Sequence, residues 1–176
     1  MLKAYKYRLY PNNEQKEYFA KTFGCGRLIY NLMLADRIKS YEENKDLDIK
    51  KIKYPTPAQY KKEYPFLKEV DSLALANEQM NLDKAYKNFF RDKSVGFPKY
   101  KSKKTNYHSY TTNNQKGTVY IENGYIKLPK LKSMVKIKQH RLFDGIIKSC
   151  TISKTPSKRY YISILVDTDI KQLNPV

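Results

Sequence analysis

The sequence predicts an α+β protein in which a small β-barrel or sandwich is interrupted by a block of helices. Three observations support this fold class: residues 3–9 alternate apolar and basic side chains, residues 13–91 carry apolar side chains at helical spacing, and residues 118–166 return to short alternating runs. A lone strand at the start of a chain is not stable by itself. We therefore expect it to pair with the later strands, which makes the helices an insertion into one β module.

The first strand is predicted from its alternation. Tyr5, Tyr7 and Leu9 occupy every second position, and Lys6 and Arg8 stand between them. A period of two places one row of side chains in the core and the other row in solvent.

The helical block is predicted to hold about four helices. Asn12 and Gln15 form a capping-box-like start for the first one. Gly24 and Gly26 are expected to bend the chain before a second helix over residues 28–41. This arrangement resembles the helix-turn-helix of DNA-binding proteins, but any helical hairpin gives the same pattern.

The third and fourth helices are predicted to follow a polar loop over residues 42–53. Thr56 and Pro57 are the residue types of an N-cap and a first helical position, and they indicate a short third helix. Asp71 or Ser72 is expected to cap the long fourth helix, which carries one apolar face.

The later part of the chain is predicted to be built of strands. Residues 118–122 and 125–128 flank Asn123-Gly124, a pair that accepts the positive φ angles of a type I′ turn, and together they indicate a hairpin. Further short alternating runs cover residues 134–138, 147–153 and 160–166.

The charge of the chain is large and uneven. There are 35 lysines and arginines against 17 acids, a net charge of +18, and the pI is about 9.7. Residues 91–159 alone carry +14, whereas residues 1–90 carry +5. A field of one sign favours a polyanionic partner, with nucleic acid as the first expectation and an anionic membrane as the second.

Several other classes are excluded. The first residues hold no apolar run of the length of a secretory signal, and residues 160–166 are too few to span a bilayer. We therefore expect a soluble, cytoplasmic protein. Cys25 and Cys150 are far apart in sequence and neither histidine stands near them, so we expect buried thiols and no metal site. No familiar catalytic motif occurs, and we expect no catalytic residue.

The clearest chemistry lies in residues 95–107, where lysines alternate with aromatic rings and no acid intervenes, and we call residues 97–104 of this stretch the basic segment. It combines lysines with aromatic rings and contains no acid: Phe97, Lys99, Tyr100, Lys101, Lys103 and Lys104. Lysines attract phosphates, and aromatic rings stack on unpaired bases. The basic segment is therefore a candidate nucleic-acid contact. The alternative is a solvated basic loop whose rings pack on the core.

A second candidate lies on the predicted second helix. Arg27, Tyr30 and Asn31 are three and four residues apart and could form one polar patch that reads base edges or holds phosphates. The alternative is that Tyr30 and Asn31 tie this helix to the fourth one through buried hydrogen bonds.

Six stretches of the sequence together resemble one known family. They are Lys3-Ala-Tyr-Lys-Tyr-Arg-Leu-Tyr-Pro11, Gly26-Arg-Leu-Ile-Tyr-Asn31, Leu82-Asp-Lys-Ala-Tyr-Lys-Asn-Phe-Phe90, Gly96-Phe-Pro-Lys-Tyr-Lys-Ser-Lys-Lys104, Ser109-Tyr-Thr-Thr112 and Leu128-Pro-Lys-Leu131. In this order and spacing they resemble the N-terminal half of the OrfB/TnpB insertion-sequence proteins. The resemblance covers nearly the whole chain.

The resemblance implies a wedge-type β-barrel split by an inserted helical recognition domain. Its first strand would be residues 1–10, the helical domain residues 11–95, and the rest of the wedge residues 96–170. It also implies an RNA-guided DNA endonuclease, related to compact type V CRISPR effectors, which holds a structured guide RNA and inspects a short motif in duplex target DNA. Such a protein works in the prokaryotic cytoplasm and on the nucleoid when bound to DNA.

Family precedent also implies the contact residues. Guide RNA is expected on the wedge strands, including Lys136 and Lys138, and on the basic segment. The target-adjacent motif is expected near Tyr54, Ser72, Ala76, Asn77, Asn113, Asn114 and Gln115. Ala76 has no polar side chain, which implies a DNA motif different from those of better-known relatives.

The resemblance further implies that cleavage belongs to another part of the family's protein. A RuvC-like nuclease domain with metal-binding carboxylates begins just beyond the segment corresponding to residues 166–176. Residues 171–176 are therefore expected to be a linker toward a missing nuclease half. The chain alone is expected to be non-catalytic and to need no cofactor, because Mg²⁺ would serve only that nuclease domain.

Three functions remain open from the sequence. The chain could be the RNA- and DNA-binding portion of a TnpB-like nuclease. It could instead be a stand-alone regulator of the insertion sequence that still holds RNA or DNA. The third alternative is a degenerate fragment whose strands pack poorly.

Overall fold

A computed structural model describes residues 1–43, 53–105 and 108–168. The chain divides into two compact units. Unit 1 comprises Met1–Phe23 and Asn106–Val176, and unit 2 comprises Gly24–Thr105. The domain limits predicted after residues 10, 95 and 170 stay predictions.

Unit 1 is organised around one antiparallel sheet of seven strands in the order β2-β6-β7-β1-β5-β4-β3. The sheet is curled into a half-barrel. Its strands are β1 (Leu2–Tyr10), β2 (His108–Asn113), β3 (Tyr120–Glu122), β4 (Tyr125–Lys127), β5 (Val135–Lys138), β6 (Ile146–Lys154) and β7 (Tyr160–Asp167). The α+β class is confirmed, as is the pairing of the first strand with later ones, because β1 lies between β5 and β7.

The alternation of the strands defines the two faces of the sheet. On β1, Tyr7 and Leu9 are buried, whereas Lys6 and Tyr10 are exposed. The buried face packs on the start of the first helix, where the Phe19 ring lies 6.2 Å from Tyr110 and 5.9 Å from Tyr160 between ring centroids. We call the opposite face of β1, β5 and β7 the strand face.

The predicted hairpin is confirmed. β3 and β4 pair around Asn123 and Gly124, whose φ angles are 51° and 79°. Both angles are positive, as a type I′ turn requires.

The predicted pair of helices around a glycine bend is wrong. Helix α1 (Asn13–Glu43) runs continuously through Gly24 and Gly26. A glycine inside a helix costs only about 1 kcal/mol relative to alanine, which the packing of the flanking apolar residues offsets. Gly26 is buried beside helix α3 (Ser72–Arg91), where an added Cβ would lie 3.3 Å from Glu78 Oε1. This glycine therefore permits a close approach and not a turn.

Unit 2 holds the rest of α1 together with α2 (Pro57–Glu63) and α3 (Ser72–Arg91). The described residues thus contain three α-helices, where about four were predicted. Short 3-10 turns cover Pro65–Glu69, Lys93–Val95 and Lys103–Thr105. The core of unit 2 includes Ile29, Met33, Leu34, Leu67, Leu75 and Leu82. Most of the loop predicted over residues 42–53 lies outside the described residues.

The predicted caps are confirmed where the helices begin. At α1, the Asn12 N–H donates to Gln15 Oε1 at 2.9 Å, and the Gln15 N–H donates to Asn12 Oδ1 at 2.8 Å. Asp71 caps α3, because its Oδ1 accepts from the Leu73 N–H at 3.0 Å. In the part of the chain that the structure describes, no helix is both long enough and apolar enough to cross a membrane.

Candidate nucleic-acid interface

One amide side chain of α1 holds the backbone of the basic segment. Asn31 Nδ2 donates to the carbonyl oxygen of Lys101 at 2.9 Å, and Asn31 Oδ1 accepts from the Lys101 N–H at 2.8 Å. Both backbone groups of Lys101 are therefore satisfied by one residue 70 positions away in the sequence. Asn31 fixes the path of the segment across unit 2.

The side chain of Lys101 is also engaged within unit 2. Its Nζ lies 3.0 Å from Glu78 Oε2 and 4.3 Å from the centroid of the Tyr30 ring. The Glu78 side chain is only 5% exposed, so this ion pair is shielded from water on the carboxylate side. Burial first, and the charge of Glu78 second, raise the pKa of Tyr30. The charge of Lys101 is thus largely compensated inside unit 2.

The other lysines of the basic segment have a different environment. Lys99, Lys103 and Lys104 are exposed, and Tyr100 is 57% exposed. The structure therefore separates one internally paired lysine from three that face solvent. Asn31, Tyr30, Lys101 and Glu78 together are called the latch.

The predicted patch of Arg27, Tyr30 and Asn31 is only partly available. Tyr30 is buried and Asn31 holds the backbone of Lys101. Arg27 is half-buried, and burial lowers its pKa. The alternative is that Tyr30 and Asn31 link their helix to the helix that is now α3. The observed geometry is similar, because Lys101 contacts Asn31 and Tyr30 of α1 and also Glu78 of α3.

Phe97, at the start of the basic segment, belongs to an aromatic cluster. Its ring lies 5.4 Å from both Tyr86 and Phe89, at interplanar angles of 88° and 84°. Burial raises the pKa of Tyr86 to about 12. These rings line a groove of about 500 Å³ that also contains Tyr54 and Arg37. The Arg37 guanidinium lies 5.0 Å from the Tyr54 ring and 5.3 Å from the Tyr86 ring, and it pairs with Asp83.

The residues predicted to read DNA in unit 2 fall into two places. Ser72 and Ala76 are exposed and one helical turn apart on α3. Asn77 donates its Nδ2 to the Leu73 carbonyl at 2.8 Å. The Arg37 guanidinium contacts the rings of both Tyr54 and Tyr86. Tyr86 lies about 15 Å beyond Ala76 along α3. The structure brings Ser72 and Ala76 together and leaves Tyr54 apart from them.

The predicted polar run of unit 1 forms the turn after β2. Asn114 Nδ2 donates to the Ile147 carbonyl at 2.9 Å, and its Oδ1 accepts from the Val119 N–H at 3.1 Å. Asn113 pairs with Ser149 at the end of β2, and Gln115 is exposed. Asn114 therefore shapes the turn, and Gln115 presents its side chain to solvent.

The strand face carries a group of basic side chains. In the strand register, Arg8 is opposite both Lys138 and Tyr161, and Tyr10 is opposite Lys136. Directly opposite residues of an antiparallel pair share a face. The predicted residues Lys136 and Lys138 thus lie among cations and rings of the neighbouring strands.

Four residues of the strand face were missed by the sequence-based selection of contact residues: Lys6, Arg8, Tyr10 and Tyr161. Lys6 Nζ lies 4.9 Å from the Tyr161 ring, and the Arg8 guanidinium lies 4.9 Å from the Tyr10 ring. The alternation in residues 3–9 had already placed Lys6 and Arg8 on the exposed side. What the sequence lacked was the pairing that brings them beside β5 and β7.

No group of three or more metal-ligating side chains occurs among residues 1–43, 53–105 and 108–168.

Comparison with known proteins gives one family match and three relatives. A profile described as a helix-turn-helix domain of OrfB proteins of the IS605 type matches residues 1–46; in the structure this region is a strand followed by one continuous helix. A Streptomyces pristinaespiralis protein named “Putative RNA-guided DNA endonuclease” is 32% identical over 174 residues, covering 96% of this chain and 42% of its own.

InsQ of Escherichia coli (strain K12), which carries the same description, is 31% identical over 175 residues, covering 96% of this chain and 41% of its own. The virulence protein VsdF of Salmonella dublin is 35% identical over 113 residues, covering 58% of this chain and 95% of its own. The chain spans about two fifths of the length of the first two relatives.

Proposed function

Since the chain belongs to the OrfB/TnpB family, whose N-terminal region it matches, we propose that it is the nucleic-acid-binding portion of an RNA-guided DNA endonuclease. The observation that carries the proposal is the strand face, where Lys6, Arg8, Lys136 and Lys138 lie beside Tyr10 and Tyr161. Cations hold phosphates, and tyrosine rings stack on bases that are not paired. A structured guide RNA offers both.

The basic segment supplies the second part of the proposed RNA surface. Lys99, Lys103 and Lys104 contribute exposed charge, and Tyr100 contributes an exposed ring. The latch holds the backbone between them, so these side chains meet the RNA from a fixed segment. A contact surface that is ordered before binding loses less conformational entropy when it binds.

Recognition of a target-adjacent motif in duplex DNA is proposed for the exposed residues Ser72, Ala76 and Gln115. Asn77 and Tyr54 of unit 2, and Asn113 and Asn114 of unit 1, belong to the same proposal as residues that the family resemblance implies. An alanine at position 76 contacts DNA through its methyl group only, which favours a thymine methyl over a hydrogen-bonding base edge.

Cleavage is assigned in this proposal to the part of the longer relatives that the chain does not span. Residues 171–176 would lead toward that nuclease half, and Mg²⁺ would act there. The chain alone binds and does not cut. It would act in the cytoplasm, at the nucleoid.

A stand-alone regulator of the insertion sequence is the second candidate. One observation favours it: this chain covers 95% of VsdF, so a relative exists that is little longer than the matched region. A regulator of this kind would hold RNA or DNA in competition with a full-length nuclease.

The test is to purify the chain from cells that carry its source element and to sequence the RNA that accompanies it. Enrichment of one structured RNA from the end of the element is the expected result. A variant with Lys6, Arg8, Lys136 and Lys138 changed to Ala is purified in parallel, and it should lose that RNA. A random RNA population in both preparations would refute the proposal.

A further inference from the structure

A groove opens on the strand face where β5 ends. The pairing of β5 with β1 is limited to the last three residues of β1, from Arg8 to Tyr10, and the final residue of β5, Lys138, is opposite Arg8. The chain then turns away through His140. This leaves a space of about 700 Å³ lined by Lys6, Arg8, Tyr10, Lys138, His140 and Tyr161, with Tyr7 and Thr155.

We propose that this groove is a subsite for a single unpaired nucleotide of the bound RNA. The inference rests on the proposed function and adds to it a specific place on the strand face and a preference for unpaired over paired RNA. Its volume falls within the range of pockets that hold one small ligand.

The charge of the groove suits the phosphate of that nucleotide. Lys6, Arg8 and Lys138 contribute three cations, and the residues that line the groove include no carboxylate. The hydrogen bonds of Arg and Lys to phosphate are charge-assisted, and an arginine can hold two oxygens at once. Arg8 lies between the other two, because it is opposite Lys138 and two residues from Lys6.

The rings of the groove suit the base. Tyr10 is 40% exposed, and the Arg8 guanidinium lies over its ring at 4.9 Å. Lys6 lies over the Tyr161 ring at the same distance. Tyrosine rings and guanidinium planes are the surfaces on which splayed-out RNA bases stack. A ring beside a phosphate-holding cation supplies the two contacts that one nucleotide needs.

A paired base cannot use this site, because both of its faces are covered by its neighbours in the duplex. The groove is therefore selective for loops, bulges and ends, whereas the exposed lysines of the strand face attract any RNA. Single-stranded RNA is recognised in this way on the sheets of other modules.

The test compares two double variants of the full chain by fluorescence anisotropy with a labelled ten-nucleotide single-stranded RNA. Tyr10→Leu with Tyr161→Leu removes the rings of the groove. Tyr41→Leu with Tyr120→Leu is the control double variant, because both rings are exposed and neither lines the groove.

The groove variant is expected to bind the RNA about 5- to 150-fold more weakly, the equivalent of ~1–3 kcal/mol for one stacked base. The control should stay within about twofold, and a blunt RNA duplex should bind both variants like the parent. Thermal unfolding shows whether the groove variant keeps its fold.

The outcomes separate the two claims. If the groove variant is folded and binds single-stranded RNA like the parent or like the control, the subsite is refuted and the proposed function stands. If the parent chain shows no salt-dependent binding to the single-stranded RNA or to the RNA duplex, the proposed function is refuted and the subsite is refuted with it.

Discussion

Replacing Asn31 by Ala is the sharpest test of the latch. The change removes the amide that binds both backbone groups of Lys101 at 2.8 and 2.9 Å. It leaves the packing of α1 intact, because Asn31 is only half-buried and alanine favours a helix. The effect therefore falls on the basic segment.

The magnitude follows from the two hydrogen bonds. Each contributes about 0.5–1.5 kcal/mol net, and a backbone group that loses its partner while buried costs ~1–3 kcal/mol. Water reaches part of the half-buried Lys101, so we expect a loss of about 1–3 kcal/mol for the attachment of the segment. That is a roughly 5- to 150-fold increase in the population of the detached segment.

Limited proteolysis with trypsin measures this population, because Lys99, Lys103 and Lys104 are exposed cleavage sites once the backbone is released. Hydrogen exchange at the Lys101 amide gives a second reading of the same event. Asn81→Ala is the matched control, since Asn81 is an exposed asparagine on α3. Equal cleavage rates in the Asn31 variant and the control, with unchanged exchange at Lys101, would refute the assigned role of the latch.

Three further predictions concern charge, backbone strain and pH. Lys103→Ala should reduce the slope of the log of the RNA-binding constant against log salt by about 0.7, which is the share of one phosphate contact on single-stranded RNA. Lys101→Ala should leave this slope unchanged, because Glu78 already pairs the charge of Lys101. Equal reductions in the two variants would contradict the division into one paired lysine and three that face solvent. Gly145→Ala should lower the free energy of unfolding, measured by urea denaturation, by about 2–4 kcal/mol. The reason is that Gly145 has a φ of +133° and an added Cβ would lie 2.5 Å from the Asp167 carbonyl oxygen. In the control Gly117→Ala the Cβ would meet nothing within 4 Å, so the loss should be only about 1 kcal/mol. Burial and the acceptor Asp36 raise the pKa of Tyr60, so the unfolded chain loses the phenol proton first and the stability of the fold should decrease as pH rises above about 10. Between pH 9 and pH 11 the urea midpoint should decrease less for Tyr60→Phe than for the parent. An equal decrease in both proteins would show that Tyr60 is not the cause.

Local features of the fold were predictable because each depends on a few neighbouring residues. The turn at Asn123 and Gly124 and the reciprocal cap of Asn12 and Gln15 each depend on at most four consecutive residues, and the alternation of β1 is visible within residues 3–9. Each of these patterns can be recognised without knowing a distant partner, so composition and spacing suffice to predict them.

The features that failed or were missed depend on distant partners. Gly26 looks like a bend until Glu78 is seen beside it. Asn31 holds the backbone of Lys101, 70 positions away, which spacing could not indicate, and its contact with nucleic acid stays a prediction. The strand face needs the register of β1 with β5 and β7, which alternation alone does not give. Periodicity predicts which side chains point outward, but only pairing decides which of them become neighbours.

The central place of β1 in the sheet has a consequence for synthesis. β1 is made first, yet its partner in β5 lies 130 residues later, as Arg8 and Lys138 show. At a translation rate of 5–20 residues per second, both edges of β1 stay unpaired for about 6–26 s. Unit 2 is complete by residue 105 and can fold during that interval, whereas the sheet closes only after most of the chain has left the ribosome. Lys3, Lys6 and Arg8 place charges on a strand that would otherwise invite association with other nascent chains.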